Sequence, residues 1–128
     1  MDRTRVTMQI TEKGDARFEL ALERLLGGHA FSLQGINFCL APDGGLEVSV
    51  DSSWRVENVT EQRALKDLRR AESLFASLST SSSAFADITR KHPRRFILIY
   101  EYGSGSIELA RLVNETLVWA QGMVPAAG

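Results

Sequence analysis

The run Pro42-Asp43-Gly44-Gly45 constrains the fold of this chain more than any other feature, because it separates two segments whose polarity alternates residue by residue. Ile36, Phe38 and Leu40 alternate with Asn37 and Cys39 before it, and Leu46, Val48 and Val50 alternate with Glu47, Ser49 and Asp51 after it. Alternation with a period of two marks a strand with one buried face, and a glycine-rich turn between two such runs predicts a β-hairpin. Upstream the apolar phase changes from Phe31 and Leu33 to Ile36, and a bulge at Gly35 within one strand from Ala30 to Leu40 accounts for the change.

Other segments follow the same two periodicities. Arg5 to Thr11 alternates, with Val6, Met8 and Ile10 on one side, and predicts a strand with one wet face. Ala16 to Leu26 consists almost wholly of strong helix formers, with Asp15 at its start and Gly27-Gly28 at its end, and reads as a helix. Phe18, Leu20 and Leu22 would also suit a strand, so a hairpin with the first segment stays open as the alternative. A long helix is expected from about Thr60 to Leu78, begun by an approximate capping box of Asn58 and Glu61, with Leu65, Leu68, Ala71, Phe75 and Leu78 as its apolar stripe.

The serine run Ser77 to Ser83 should break that helix. A shorter helix carrying Phe85 and Ile88 should end near Lys91, because Pro93 disfavours helical geometry at His92. Phe96 to Tyr102 reads as the most buried strand, and Ser106 to Gln121 as a terminal helix with Leu109, Leu112, Val113, Leu117 and Ala120 on one side. Gly122 should stop it, ahead of a frayed tail over 122–128. The expected fold is α+β, a two-layer sandwich forming a single domain over 1–128 in the order βαββα(α)βα. Its βαββαβ kernel matches a ferredoxin-like antiparallel sheet with an added C-terminal helix.

Composition sets the limits on function. With 128 residues the chain can bury a core without a metal or disulfide staple, and its single cysteine, Cys39, can form no intrachain disulfide. Fifteen Lys and Arg against sixteen Asp and Glu give a net charge of −1, which argues against a surface adapted throughout to polyanions. The longest apolar run, Phe96 to Tyr100, is far too short to span a bilayer, and no signal-peptide segment follows Met1, so a cytoplasmic location is expected.

Two segments carry candidate chemistry. Glu101-Tyr102-Gly103-Ser104-Gly105-Ser106 joins the buried strand to the expected terminal helix, and free N–H groups at a helix start would suit an anionic ligand. Neither the dinucleotide fingerprint nor the P-loop is present, since Glu108 occupies the third glycine position and no Gly-Lys-Ser or Gly-Lys-Thr follows; a tight turn with Ser106 as N-cap is the plainer reading. Arg90-Lys91-His92-Pro93-Arg94-Arg95 gathers four fixed positive charges, with Arg90, Lys91, Arg94 and Arg95 placed to meet a partner. The lack of aromatic residues within that segment argues against nucleic acid, and cations after a helix are stabilising in themselves.

Catalytic groups are sparse. His29 and His92 belong to no metal-ligand pattern, and Cys39 reads as a packed thiol with no base beside it. Trp54 and Trp119 read as packing anchors. The resulting expectation is a non-catalytic domain without a cofactor that binds a protein partner or itself, as a homodimer for instance. A small-molecule or anion-binding protein, or a small enzyme, using the strand-to-helix loop from Gly103 to Ser106 is the alternative.

Overall fold

The computed structural model describes residues 6–12, 14–52, 55–103, 105–123 and 125–126; Arg5, Trp54 and Ser104 lie outside these, as does the end of the tail. Among the described residues, seven strands form one sheet: β1 (Thr7–Ile10), β2 (Ala30–Leu33), β3 (Ile36–Leu40), β4 (Leu46–Asp51), β5 (Arg94–Tyr102), β6 (Gly105–Val113) and β7 (Thr116–Trp119). Three helices accompany them, α1 (Phe18–Leu26), α2 (Glu61–Ser81) and α3 (Ser83–Lys91), with a 3₁₀ turn at Val56–Asn58. The strands lie side by side in sequence order. β1 runs parallel to β2 across α1, β4 runs parallel to β5 across α2 and α3, and the remaining neighbours are antiparallel.

The mixed α/β class is therefore as expected, but the sheet is mixed where an antiparallel ferredoxin-like one was expected. The expected terminal helix from Ser106 to Gln121 is a β-hairpin, β6 and β7, joined at Asn114-Glu115. Both turn residues have positive φ, 50° and 67°, the geometry that matches a two-residue hairpin to the twist of its strands. The supposed bulged strand from Ala30 to Leu40 is likewise a hairpin. Gln34 and Gly35 turn at φ 54° and 78°, and Leu33 faces Ile36 directly, so both side chains enter the core. The change of apolar phase is the turn itself.

A true bulge lies elsewhere. Leu98 pairs with Ala110 but Ile99 pairs with Glu108, leaving Leu109 as the extra residue on β6, and its side chain is buried in the core.

The helices behave more nearly as read. α1 is a helix, and the Asp15 carboxylate accepts the backbone N–H of Arg17 at 2.9 Å just before it begins. α2 starts where expected, but its cap is Thr60, two residues after Asn58, and the Thr60 hydroxyl accepts the N–H of Arg63 at 3.2 Å. The serine run does not break α2 at Ser77. Only Ser82 leaves helical geometry, its N–H donating to the Leu78 carbonyl while its hydroxyl accepts the N–H of Phe85 at 3.1 Å. One residue thus ends α2 and begins α3.

The core lies between one face of the sheet and the helices. Phe31, Leu33, Ile36, Phe38, Leu46, Val48, Val50, Phe96 and Leu98 meet Leu25, Leu68, Leu78 and Phe85 there, all buried. All six phenylalanines of the chain join one row of ring contacts. It runs Phe18, Phe31, Phe38, Phe85, Phe75, Phe96, with Phe31 stacked on Phe38 at 4.6 Å and the other pairs edge-to-face. Rings in these arrangements add about 0.5–1.5 kcal/mol per pair beyond their buried area. The tail returns to this body: Met123 packs against the core and the Ala126 N–H donates to the Val59 carbonyl at 2.8 Å.

Candidate functional site

The second face of the sheet carries none of the core residues that meet the helices. Strand alternation and register place one row of side chains straight across it: Gln9, Ser32, Asn37, Ser49, Ile97, Arg111 and Val118. The composition of this face changes at the boundary between β4 and β5. From β1 to β3 it presents Gln9, Ser32, Asn37 and Cys39, and on β4 Glu47, Ser49 and Asp51; from β5 onward it adds Ile97, Ile99, Val113 and Val118. Val113 and Val118 are 45% and 43% exposed. An ion pair sits among them, with the Arg111 guanidinium donating to both carboxylate oxygens of Glu108 at 3.0 and 2.7 Å. Glu108 and, more weakly, Glu47 hold Arg111 still more firmly protonated. Across the boundary, burial pushes the Asp51 carboxyl up from its ordinary value, opposed by a hydrogen bond from the Asn37 side chain.

The glycine loop lies beyond this face, at the tip of the β5–β6 hairpin. Tyr102 pairs with Gly105 and Glu101 with Ser106, so the segment is a strand-to-strand turn with no helix after it. The helix N-terminus that would have drawn an anion to Gly103, Gly105 and Ser106 is not there. Glu101, Tyr102, Gly103, Gly105 and Ser106 do line a shallow hollow of about 580 Å³, which among the described residues offers a carboxylate and no cation. Tyr102 is 52% exposed and its ring stacks on Tyr100 at 6.3 Å, while Tyr100 reaches back to the core.

Three of the four basic side chains have partners within the fold, although Arg90 and Arg94 stay exposed. Arg95 pairs with Asp43, Arg90 pairs with Asp87, and the Arg94 guanidinium lies 5.2 Å from the centre of the Phe75 ring. Asp43 is held below the usual carboxylate range by the backbone N–H of Gly45, at 2.9 Å, and then by Arg95. Together with the Leu46 N–H, which donates to the Pro93 carbonyl at 2.8 Å, these contacts clasp the β3–β4 turn. Lys91 instead lines a hollow of about 260 Å³ between α1 and α3, beside Glu19, Glu23, Asp87, Leu26 and His92.

The histidines act structurally and apart. His29 Nδ1 accepts the N–H of Val6 at 3.2 Å at the start of β1, and His92 Nδ1 contacts the β3–β4 turn. Cys39 is half-buried on the polar part of this second face. Among the described residues, no three His, Cys, Asp or Glu side chains converge as a metal site would require, and no helix is long and apolar enough to cross a membrane. The side chains missed from the sequence are Val113 and Val118, both placed in a helix. The β-branched and aromatic run Thr116-Leu117-Val118-Trp119, just after Asn114, was the signal for a strand there.

Compared with known proteins, the sequence matches no family model, and no curated protein or solved structure matches it.

Proposed function

We propose that this chain is a protein-interaction domain that uses the β5–β7 part of the sheet face turned away from the helices. The observation that carries this reading is the change in composition at β4 and β5. A face meant only for water would keep the Ser, Asn and Gln pattern of β1 to β3, yet Ile99, Val113 and Val118 stand on it around the Glu108–Arg111 pair. Exposed branched apolar side chains clustered on one sheet face form the kind of surface that loses water to a protein partner. The basic segment Arg90 to Arg95 is the second surface in this reading, with Arg90, Arg94 and Arg95 each contacting a side chain of the fold while Arg90 and Arg94 remain exposed. The reading of Gly103 to Ser106 as an anion site is the weaker one, having lost its helix dipole.

The test is affinity capture from cells of the chain's own source, comparing wild type with Ile99→Glu/Val113→Glu, followed by reconstitution from purified components. A protein retained by wild type and reduced at least about tenfold by the double variant supports the reading, since hot-spot truncations cost about 1.4 kcal/mol or more. If no protein depends on these two side chains and the purified chain does not self-associate, the reading fails.

A further inference from the structure

We infer that the partner offered by this fold is a second copy of itself, joined edge to edge through β7. This rests on reading the chain as an interaction domain, and it adds a second contact at the β7 edge, apart from Ile99 and Val113, with its partner and register. β7 is an edge strand with a single neighbour, β6, and its four residues Thr116-Leu117-Val118-Trp119 carry no charge and no proline. The unpaired N–H and C=O groups of such an edge can take a further strand, and at four residues they are few. The opposite edge is treated differently: at β1 the Arg17 guanidinium reaches over from the α1 side and donates to the Gln9 carbonyl at 2.9 Å.

Register decides which groups of β7 are available. In a two-residue hairpin the pair flanking the turn exchanges hydrogen bonds, and bonded and unbonded pairs then alternate. Val113 and Thr116 flank the turn and Arg111 pairs with Val118, so Thr116 and Val118 turn their backbone groups toward β6; the Ala120 N–H, donating to the Leu109 carbonyl at 2.9 Å, continues the series. Leu117 and Trp119 therefore point their N–H and C=O groups away from the sheet.

Two such edges fit each other around a two-fold axis at Val118. Leu117 then exchanges both hydrogen bonds with the partner's Trp119, and Trp119 with the partner's Leu117, which uses every outward group on both strands. Val118 faces the partner's Val118 as an unbonded close pair, with Cα atoms about 4.5 Å apart, on the face turned away from the helices. Leu117 meets the partner's Trp119 on the core side. Glu115 falls opposite the partner's Gln121, so like charges do not meet across the seam. The result is one continuous sheet through both copies. A seam of four residues buries less than the roughly 1,200 Å² of a standard interface, so the dimer belongs to the weak class, micromolar or weaker.

Cysteine pairing tests the register directly. In a Cys39→Ser background, Val118→Cys places two thiols on the axis, whereas Thr116→Cys puts them about 13 Å apart, four residues along the strand. Under mild oxidation Val118→Cys should form covalent dimer at least about tenfold faster than Thr116→Cys. Sedimentation velocity of the wild type from about 5 to about 500 µM should show a concentration-dependent shift that Val118→Lys removes while far-UV circular dichroism is unchanged. Equal cross-linking at the two positions, or a wild type that stays monomeric throughout, overturns the proposal. If Val118→Lys fails to fold, the cysteine pair alone decides. A monomeric chain that still captures a protein through Ile99 and Val113 refutes the dimer and leaves the interaction-domain reading intact; failure of both refutes both.

Discussion

His92 Nδ1 lies 2.7 Å from the carbonyl oxygen of Gly44, a residue 48 positions earlier in the chain. A carbonyl can only accept, so Nδ1 carries the proton, and the imidazole ties the end of α3 to the β3–β4 turn. His92→Ala should cost about 0.5–1.5 kcal/mol in urea unfolding, the net worth of one such bond. His92→Asn, which retains a donor, should recover part of the loss.

The turn at Asn114-Glu115 holds a non-glycine residue at φ 67°. Left-handed backbone costs an L-residue about 1 kcal/mol, and Asn-Gly is the preferred pair for this turn. Glu115→Gly should therefore stabilise the fold by up to about 1 kcal/mol, less what glycine adds to the freedom of the unfolded chain. Thermal unfolding checks this, and a lowered Tm would show that the β6–β7 hairpin does not turn here as described.

Phe38 is the centre of the aromatic row, stacked on Phe31 and edge-on to Phe85 at 5.8 Å. Phe38→Ala should cost about 3–5 kcal/mol, as large-to-small changes at fully buried rings do. Phe38→Leu, which keeps most of the volume but loses the ring contacts, should cost clearly less. Denaturant titrations of the two variants measure the difference.

Two aspartates should respond to pH with opposite sign. Hydrogen bonds from the Arg17 side chain and from the backbone of Arg17 and Thr11 hold Asp15 well below its ordinary value of 3.8. Its stabilisation is complete above that ordinary value and fades as the pH falls through the lower value in the fold. Asp15→Asn should thus destabilise at neutral pH and converge on wild type in strong acid.

Asp67 is the reverse case, raised by burial against the opposing pull of Arg70 and Lys66. Its charged form is disfavoured by folding, so stability drops as the pH rises through the raised value. Asp67→Asn should raise Tm at neutral pH and give no gain near about pH 3, where both side chains are neutral. Calorimetry across that range reads both variants.

Much of this fold was written in side-chain pattern. The turn at Pro42 to Gly45, the helix over Phe18–Leu26 and the stop before Pro93 all stand where residue chemistry puts them. The two misread segments share one cause. At Gln34-Gly35 and Asn114-Glu115 the chain reverses in two residues, and neither Gln nor Glu announces the positive φ it adopts. The terminal segment carried a second disguise. The extra residue Leu109 turns strict alternation into Leu109, Leu112 and Val113, which imitates a helical stripe. The exposed Val113 and Val118 were hidden by that imitation, and the glycine loop owed its apparent chemistry to the helix that was supposed to follow.

The strand order also fixes how such a sheet is assembled. Every strand pairs with the one before it, so none has to be wedged between two already joined, and a nascent chain can lengthen the sheet always at the same border. Each strand lies against its predecessor in the chain, so among the described strands the border at β7 has the same form as the one β7 itself was added to.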